Sequence, residues 1–147
     1  MTGDQKQITI NAPVEHVFGV ITDYEKYPEF LPEMTSVEIL SCQDGVTVAR
    51  FELYIMMRFS YILELEEHRP QAVKWSLREA RMINSNDGLW EFRSSNGGRT
   101  YATYKVDVQL PGVIPASVSD RLTGIILPQT LQMFKDRCEL LLPVGGD

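Results

Sequence analysis

Histidine and cysteine are scarce in this chain, with two of each among 147 residues. His16 falls away from the apolar face of the first predicted helix, and His68 sits in a Glu-Glu-His-Arg-Pro turn, so both are expected in solvent. Without an inward histidine, Ser–His and Cys–His nucleophilic schemes lose their base. Cys42 and Cys138 lie far apart with no CxxC, which reads as two free thiols. No ligand pair has helical or CxxC spacing, so no metal is expected. No GxGxxG or GxxxxGK[ST] is present, so a nucleotide has no cradle, and no cofactor is expected. Positive charge is outweighed: 14 Lys and Arg face 20 Asp and Glu, a net charge of -6. That field repels phosphate backbones, which argues against nucleic acid and against an anionic membrane surface as partners. Apolar runs are a few residues long, far short of the ~20 a membrane span needs. No apolar stretch follows Met1, so no signal peptide is expected and the location is read as cytoplasmic.

What is present suits one α+β domain spanning residues 1–147. Hydrophobic residues make up 44%, ordinary for a globular chain, and a chain of this length buries roughly 70% of its unfolded surface without staples. Gln5 to Ile10 reads as a short strand. Asn11-Ala12-Pro13 starts a helix, with Val14, Val17, Phe18 and Ile21 on one apolar face. A second short helical segment runs from Tyr24 to Leu31, interrupted by Pro28.

From Ser36 the apolar period changes to two. Strands are predicted around Val37–Ser41, Val46–Ile55, Phe59–Glu66, Val73–Arg78, Trp90–Arg93 and Thr100–Gln109. Asp44-Gly45 and Asn96-Gly97-Gly98 supply hairpin turns, Arg69-Pro70 breaks a strand, and Asn84 to Gly88 reads as a polar turn. No connection is long enough for a crossover helix, so the sheet should be antiparallel. The carboxylates Glu52, Glu64, Asp87, Glu91 and Asp107 alternate with apolar neighbours and belong on the wet face. The segment Tyr54-Ile55-Met56-Met57 is oily where a turn is due, which predicts a pocket border or a place of transient membrane or partner contact.

A long helix is predicted from Ser117 to Leu142. Its apolar stripe Val118, Leu122, Ile125, Ile126 is rotated by more than a right angle from Leu131, Phe134, Cys138, Leu141. Pro128, loosened by Gly124, is expected to kink it there. Taken singly, the strand aromatics are plain core. Together with a helix apolar almost all round, they also make a pocket lining. The candidate ligand-binding set is Tyr27, Phe30, Phe51, Leu53, Tyr61, Leu63, Trp75, Leu77, Trp90, Phe92, Tyr104, Leu122, Ile125 and Ile126.

Several motifs carry a resemblance. Asp23-Tyr24-Glu25-Lys26-Tyr27-Pro28-Glu29-Phe30-Leu31-Pro32, after an Ala-Pro-started helix, resembles the polyketide cyclase and coenzyme-Q-binding branch of the START-like (SRPBCC, Bet v 1-like) superfamily. Gly88-Leu89-Trp90-Glu91-Phe92, the Thr100–Val108 strand and the tail from Pro111-Gly112 to Glu139 are similar to later parts of that pattern. The resemblance implies a helix-grip fold: a curved antiparallel sheet wrapped around a long C-terminal helix, with a cavity between them. It also implies a hydrophobic small-molecule partner, such as a lipid, isoprenoid quinone or polyketide. Glu33-Met34 stands where the quinone-binding pattern has Trp-Cys, and no catalytic set carries over. The reading is a binding or carrier domain; the alternatives are a polyketide cyclase or dehydrase using the same cavity and a regulatory protein-interaction module.

Overall fold

A computed structural model describes residues 2–95 and 97–142, with side chains from Gln5 onward. Seven strands, β1 (Thr2–Ile10), β2 (Met34–Gln43), β3 (Val46–Tyr54), β4 (Arg58–His68), β5 (Ala72–Arg81), β6 (Ser85–Ser95) and β7 (Arg99–Gln109), form one antiparallel sheet in the order β1-β7-β6-β5-β4-β3-β2. Sequence neighbours from β2 to β7 pair in turn, and β1 closes onto β7. The period of two fixes which face is dry: Ala49 and Phe51 on β3 and Phe59, Tyr61, Leu63 and Leu65 on β4 are buried, while their neighbours are half-buried or exposed. Asp44 and Gly45 both take positive φ (55° and 78°), the backbone a two-residue hairpin demands.

The β5–β6 ladder is short. Ala72 to Trp75 pair with Glu91 to Gly88, and there the backbone pairing stops. Side chains from the run Asn84–Gly88, expected as a turn, take over. From Ser85 that run is the start of β6: Asn86 Oδ1 accepts the Trp75 indole N–H (3.2 Å), and Asp87 Oδ1 accepts the Leu77 amide (3.3 Å). Its polarity therefore belongs to a splayed strand edge and not to a loop.

Helix α1 (Val14–Ile21) buries Val17, Phe18 and Ile21 against the sheet, and Phe18 meets Phe92 edge-on. A 3₁₀ segment, Tyr24–Glu29, follows. The C-terminal helix runs as α2 (Ala116–Arg121), a π turn (Leu122–Ile126) and α3 (Leu127–Leu140). The π turn corrects the expected origin of the offset apolar stripes. Its extra residue takes back about 100° of rotation, so Val118, Leu122 and Ile126 are buried on one continuous face with Leu131, Phe134 and Cys138. Pro128, in the first turn of α3, has no N–H to offer, and its ring would crowd the Gly124 carbonyl in a regular α-helix; the wider turn accommodates it.

His16 is also not where the helical face placed it. It is half-buried, with Nε2 2.7 Å from the Cys138 carbonyl oxygen, and so ties α1 to α3. His68 is exposed at the end of β4. Both cysteines are free; Cys138 is fully buried and burial pushes its thiol up to about 12.

Candidate functional site

The sheet curls over the C-terminal helix, and a cavity of about 140 Å³ lies between them. Strands β3 to β7 contribute their inward residues: Phe51 and Leu53 from β3, Tyr61, Leu63 and Leu65 from β4, Trp75 from β5, Trp90 from β6, Tyr104 and Val106 from β7. Leu122 and Ile126 close it from the helix side, and Tyr27 from the 3₁₀ segment. Antiparallel order puts the start of β2, the β3–β4 turn, the β5–β6 connection and the end of β7 at one end of the sheet. Met34, Ile55, Ile83 and Leu110 come from those places and wall the cavity there. The β3–β4 turn is tight: Ile55 is buried, Met56 takes a positive φ of 61°, and Tyr54 and Met56 stand exposed.

Aromatic contacts hold the walls rigid. Phe51 and Tyr61, cross-strand partners, stack with centroids 5.5 Å apart and planes 13° apart. Tyr104 packs against Trp90 at 4.6 Å and Trp75 at 5.9 Å. Phe134 meets both Trp90 and Tyr27 edge-on. Such pairs prefer defined geometries, so the lining is pre-formed.

Polar atoms at the wall are few. Tyr27 donates its hydroxyl to the Ile21 carbonyl, which orients the ring. Tyr24 donates to Glu67 Oε2 (2.8 Å), which also accepts from Thr47 (2.9 Å). Burial pushes the phenols of Tyr27, Tyr61 and Tyr104 well above their ordinary value, so all three keep their protons. Glu52, Glu64, Asp87, Glu91 and Asp107 do not line the cavity; Glu52 and Glu64 face Arg58 and Arg78 instead. Among the described residues, no three His, Cys, Asp or Glu side chains are grouped to hold a metal.

Of the fourteen candidates, Tyr27, Phe51, Leu53, Tyr61, Leu63, Trp75, Trp90, Tyr104, Leu122 and Ile126 meet at the cavity. Phe30, Leu77, Phe92 and Ile125 do not. Phe30 lies behind Tyr27, under the Arg137 guanidinium, and Phe92 sits beneath α1. Leu77 follows the point where the β5–β6 ladder ends. Ile125 is 44% exposed, because the π turn rotates it outward and brings Leu127, Thr130 and Met133 to the wall instead. The signal for those three was the stripe offset itself, read as one extra residue. Ile83, between β5 and β6, was hidden where periodicity has no partner to check it, whereas Ile55 belongs to the oily Tyr54-Ile55-Met56-Met57 segment expected at a pocket border.

Comparisons agree with this geometry. The family model described as polyketide cyclase / dehydrase and lipid transport matches residues 10–135. The coenzyme Q-binding protein COQ10 homolog B, mitochondrial, of Xenopus laevis is 24% identical over 87 residues, 58% of this chain and 36% of that protein. The chain thus spans about a third of that relative's length. Two solved structures superpose closely. One is TTHA0849 of Thermus thermophilus, with TM-score 0.81 and 18% identity over 97% of this chain and 100% of that one. The other is the Zhui aromatase/cyclase of a Streptomyces species, with TM-score 0.81 and 17% identity over 99% and 98%. A START superfamily protein of Mycobacterium smegmatis follows, with TM-score 0.80 and 19% identity over 95% and 98%. At these identities the structures speak to the fold, which is the expected helix-grip arrangement.

Proposed function

This chain belongs to the polyketide cyclase / dehydrase and lipid transport family, and from that premise we propose that it is a carrier for a hydrophobic small molecule held between sheet and helix. The observation that carries this reading is the cavity wall. It is aromatic and aliphatic almost throughout, and neither histidine reaches it. Tyr phenols raised by burial are donors and poor bases, and Glu33 is the one carboxylate on the lining. A cyclase must move protons in both directions, so this wall favours holding over turnover.

Size sets a further limit. A dry apolar cavity of about 150 Å³ takes one benzene-sized ring, so 140 Å³ at rest accommodates a ring and not a full-length lipid. A longer ligand has to extend out of the cavity; past the β3–β4 turn, Tyr54 and Met56 offer an exposed apolar lip suited to touching a membrane while loading. Burying roughly 300 Å² of apolar ligand surface contributes about 7 kcal/mol before association costs, enough for micromolar binding.

Mass spectrometry of an organic extract of the purified protein, with titration of an environment-sensitive apolar fluorophore, tests the proposal. A defined co-purifying apolar molecule that competes with the fluorophore is the expected result. An empty extract together with no fluorophore binding would overturn it.

A further inference from the structure

A second hollow lies on the outside of the molecule, where α1, the 3₁₀ segment and α3 meet. It holds about 190 Å³ and shares no lining residue with the cavity under the sheet. Two permanent cations, Lys26 and Arg137, border it against one carboxylate, Asp23. The groove therefore carries net positive charge on a chain whose own net charge is -6.

Arg137 is fixed in place there. Its side chain is 14% exposed, and its guanidinium lies over the Phe30 ring, 5.1 Å from the centroid. Glu29, which is not part of the groove wall, accepts from Nη2. A guanidinium has five donors in one plane, so Glu29 leaves most of them for a second acceptor.

Gly19 is an independent sign. Glycine weakens a helix interior relative to alanine, and no neighbour requires it at this point of α1: a Cβ built there would meet nothing within 4 Å. Its bare Cα leaves the groove open. The rest of the wall is apolar, from Val20, Phe30 and Leu141. By volume the groove takes somewhat more than the single ring that fills about 150 Å³. Two cations against one carboxylate match a monoanion. A phosphate monoester, with close to two charges at neutral pH, would bring an excess to Asp23.

Going beyond the carrier reading, we propose that this outer groove is a second binding site, for a small monocarboxylate with a ring-sized apolar body. The carboxylate sits on Arg137 and Lys26, and the body lies against Val20, Phe30 and Leu141.

Proton NMR of the full chain titrated with benzoate tests this, because the two sites have separate reporters. His16, one of two histidines, lines the groove, whereas both tryptophans line the inner cavity. Benzoate should move the His16 ring signal saturably and leave the His68 ring and the two indole N–H signals in place. Benzamide, neutral and of the same shape, should bind there at least about tenfold more weakly. Lys26→Gln should weaken benzoate about threefold and Arg137→Gln about tenfold. Gly19→Leu, which puts a side chain into the open space, should abolish the His16 shift while the melting temperature holds or rises. Equal affinity for benzoate and benzamide, or undiminished benzoate binding in Gly19→Leu, would overturn the proposal. A response confined to the indole signals would overturn it too, and would leave the carrier reading standing. Should Arg137→Gln not fold, the benzamide comparison needs no substitution and the exposed Lys26 can still be replaced.

Discussion

Gly88 and Trp75 face each other at the end of the β5–β6 ladder so closely that a Cβ on residue 88 would lie 2.1 Å from the Trp75 Cζ2. It would also stand 2.7 Å from the Lys105 carbonyl oxygen on the other flank. Glycine in a strand normally weakens it, by roughly 0.5–1 kcal/mol against alanine. Here the sign reverses. Gly88→Ala should destabilise by about 1–3 kcal/mol, because a ring on one side and a backbone on the other cannot both give way. Urea denaturation measures the loss, and a red-shifted tryptophan emission should accompany it as Trp75 is displaced from the wall.

Enlarging Leu122 separates a cavity from a solid core. In a close-packed interior Leu122→Trp should cost about 1–3 kcal/mol. Leu122 borders the empty space, so the melting temperature should hold or rise while apolar fluorophore binding falls. A clear drop in melting temperature would count against a usable cavity.

Two glutamates make the fold sensitive to acid. The Arg137 guanidinium, as a hydrogen-bond partner, holds Glu29 below its ordinary value against an opposing desolvation, and Lys26 adds to the lowering. At Glu139 burial pushes the carboxyl up, but Lys135 and the Asn11 amide together outweigh it and the net direction is down. A carboxyl depressed in the folded state stabilises fully above the unfolded value, about 4.3 for glutamate, and that stability is lost as pH falls through the folded value. Denaturation midpoints should therefore be flat from neutrality to mildly acidic pH and fall below it. Arg137→Met should flatten part of that fall; an unchanged acid limb would refute the assignment.

His16→Ala should lower stability by about 1 kcal/mol, since it frees the Cys138 carbonyl and unties α1 from α3. His68→Ala should leave stability unchanged. Neither lines the cavity, so fluorophore affinity should be the same in both variants, as direct titration will report.

The strands of an antiparallel sheet, the Asp44-Gly45 turn and the inward stripes on β3 and β4 were legible because each rests on a local signal: a period of two, or a backbone that few residues adopt. The parts that were not legible depend on partners distant in sequence. Asn86 and Asp87 look like turn residues until Trp75 and Leu77 stand beside them. His16 looks solvated until the carbonyl of Cys138, 122 residues away, arrives at its ring. Ten of the fourteen candidate lining residues come together at the cavity because strand alternation names a face. Ile125 was misplaced because a helical wheel assumes every turn has the same number of residues.

The π turn at Leu122–Ile126 ties the length of this helix to its composition. Removing the exposed Gly124 would restore a uniform α-helical count and keep both apolar stripes on the sheet-facing side. The shortened helix would then carry Pro128 in a regular interior, at a cost of about 3 kcal/mol. Replacing Pro128 by Ala alone leaves the wide turn without the residue that calls for it. Made together, the deletion and the replacement should yield a stable, shorter helix. The glycine and the proline should therefore be exchangeable as a pair and not singly.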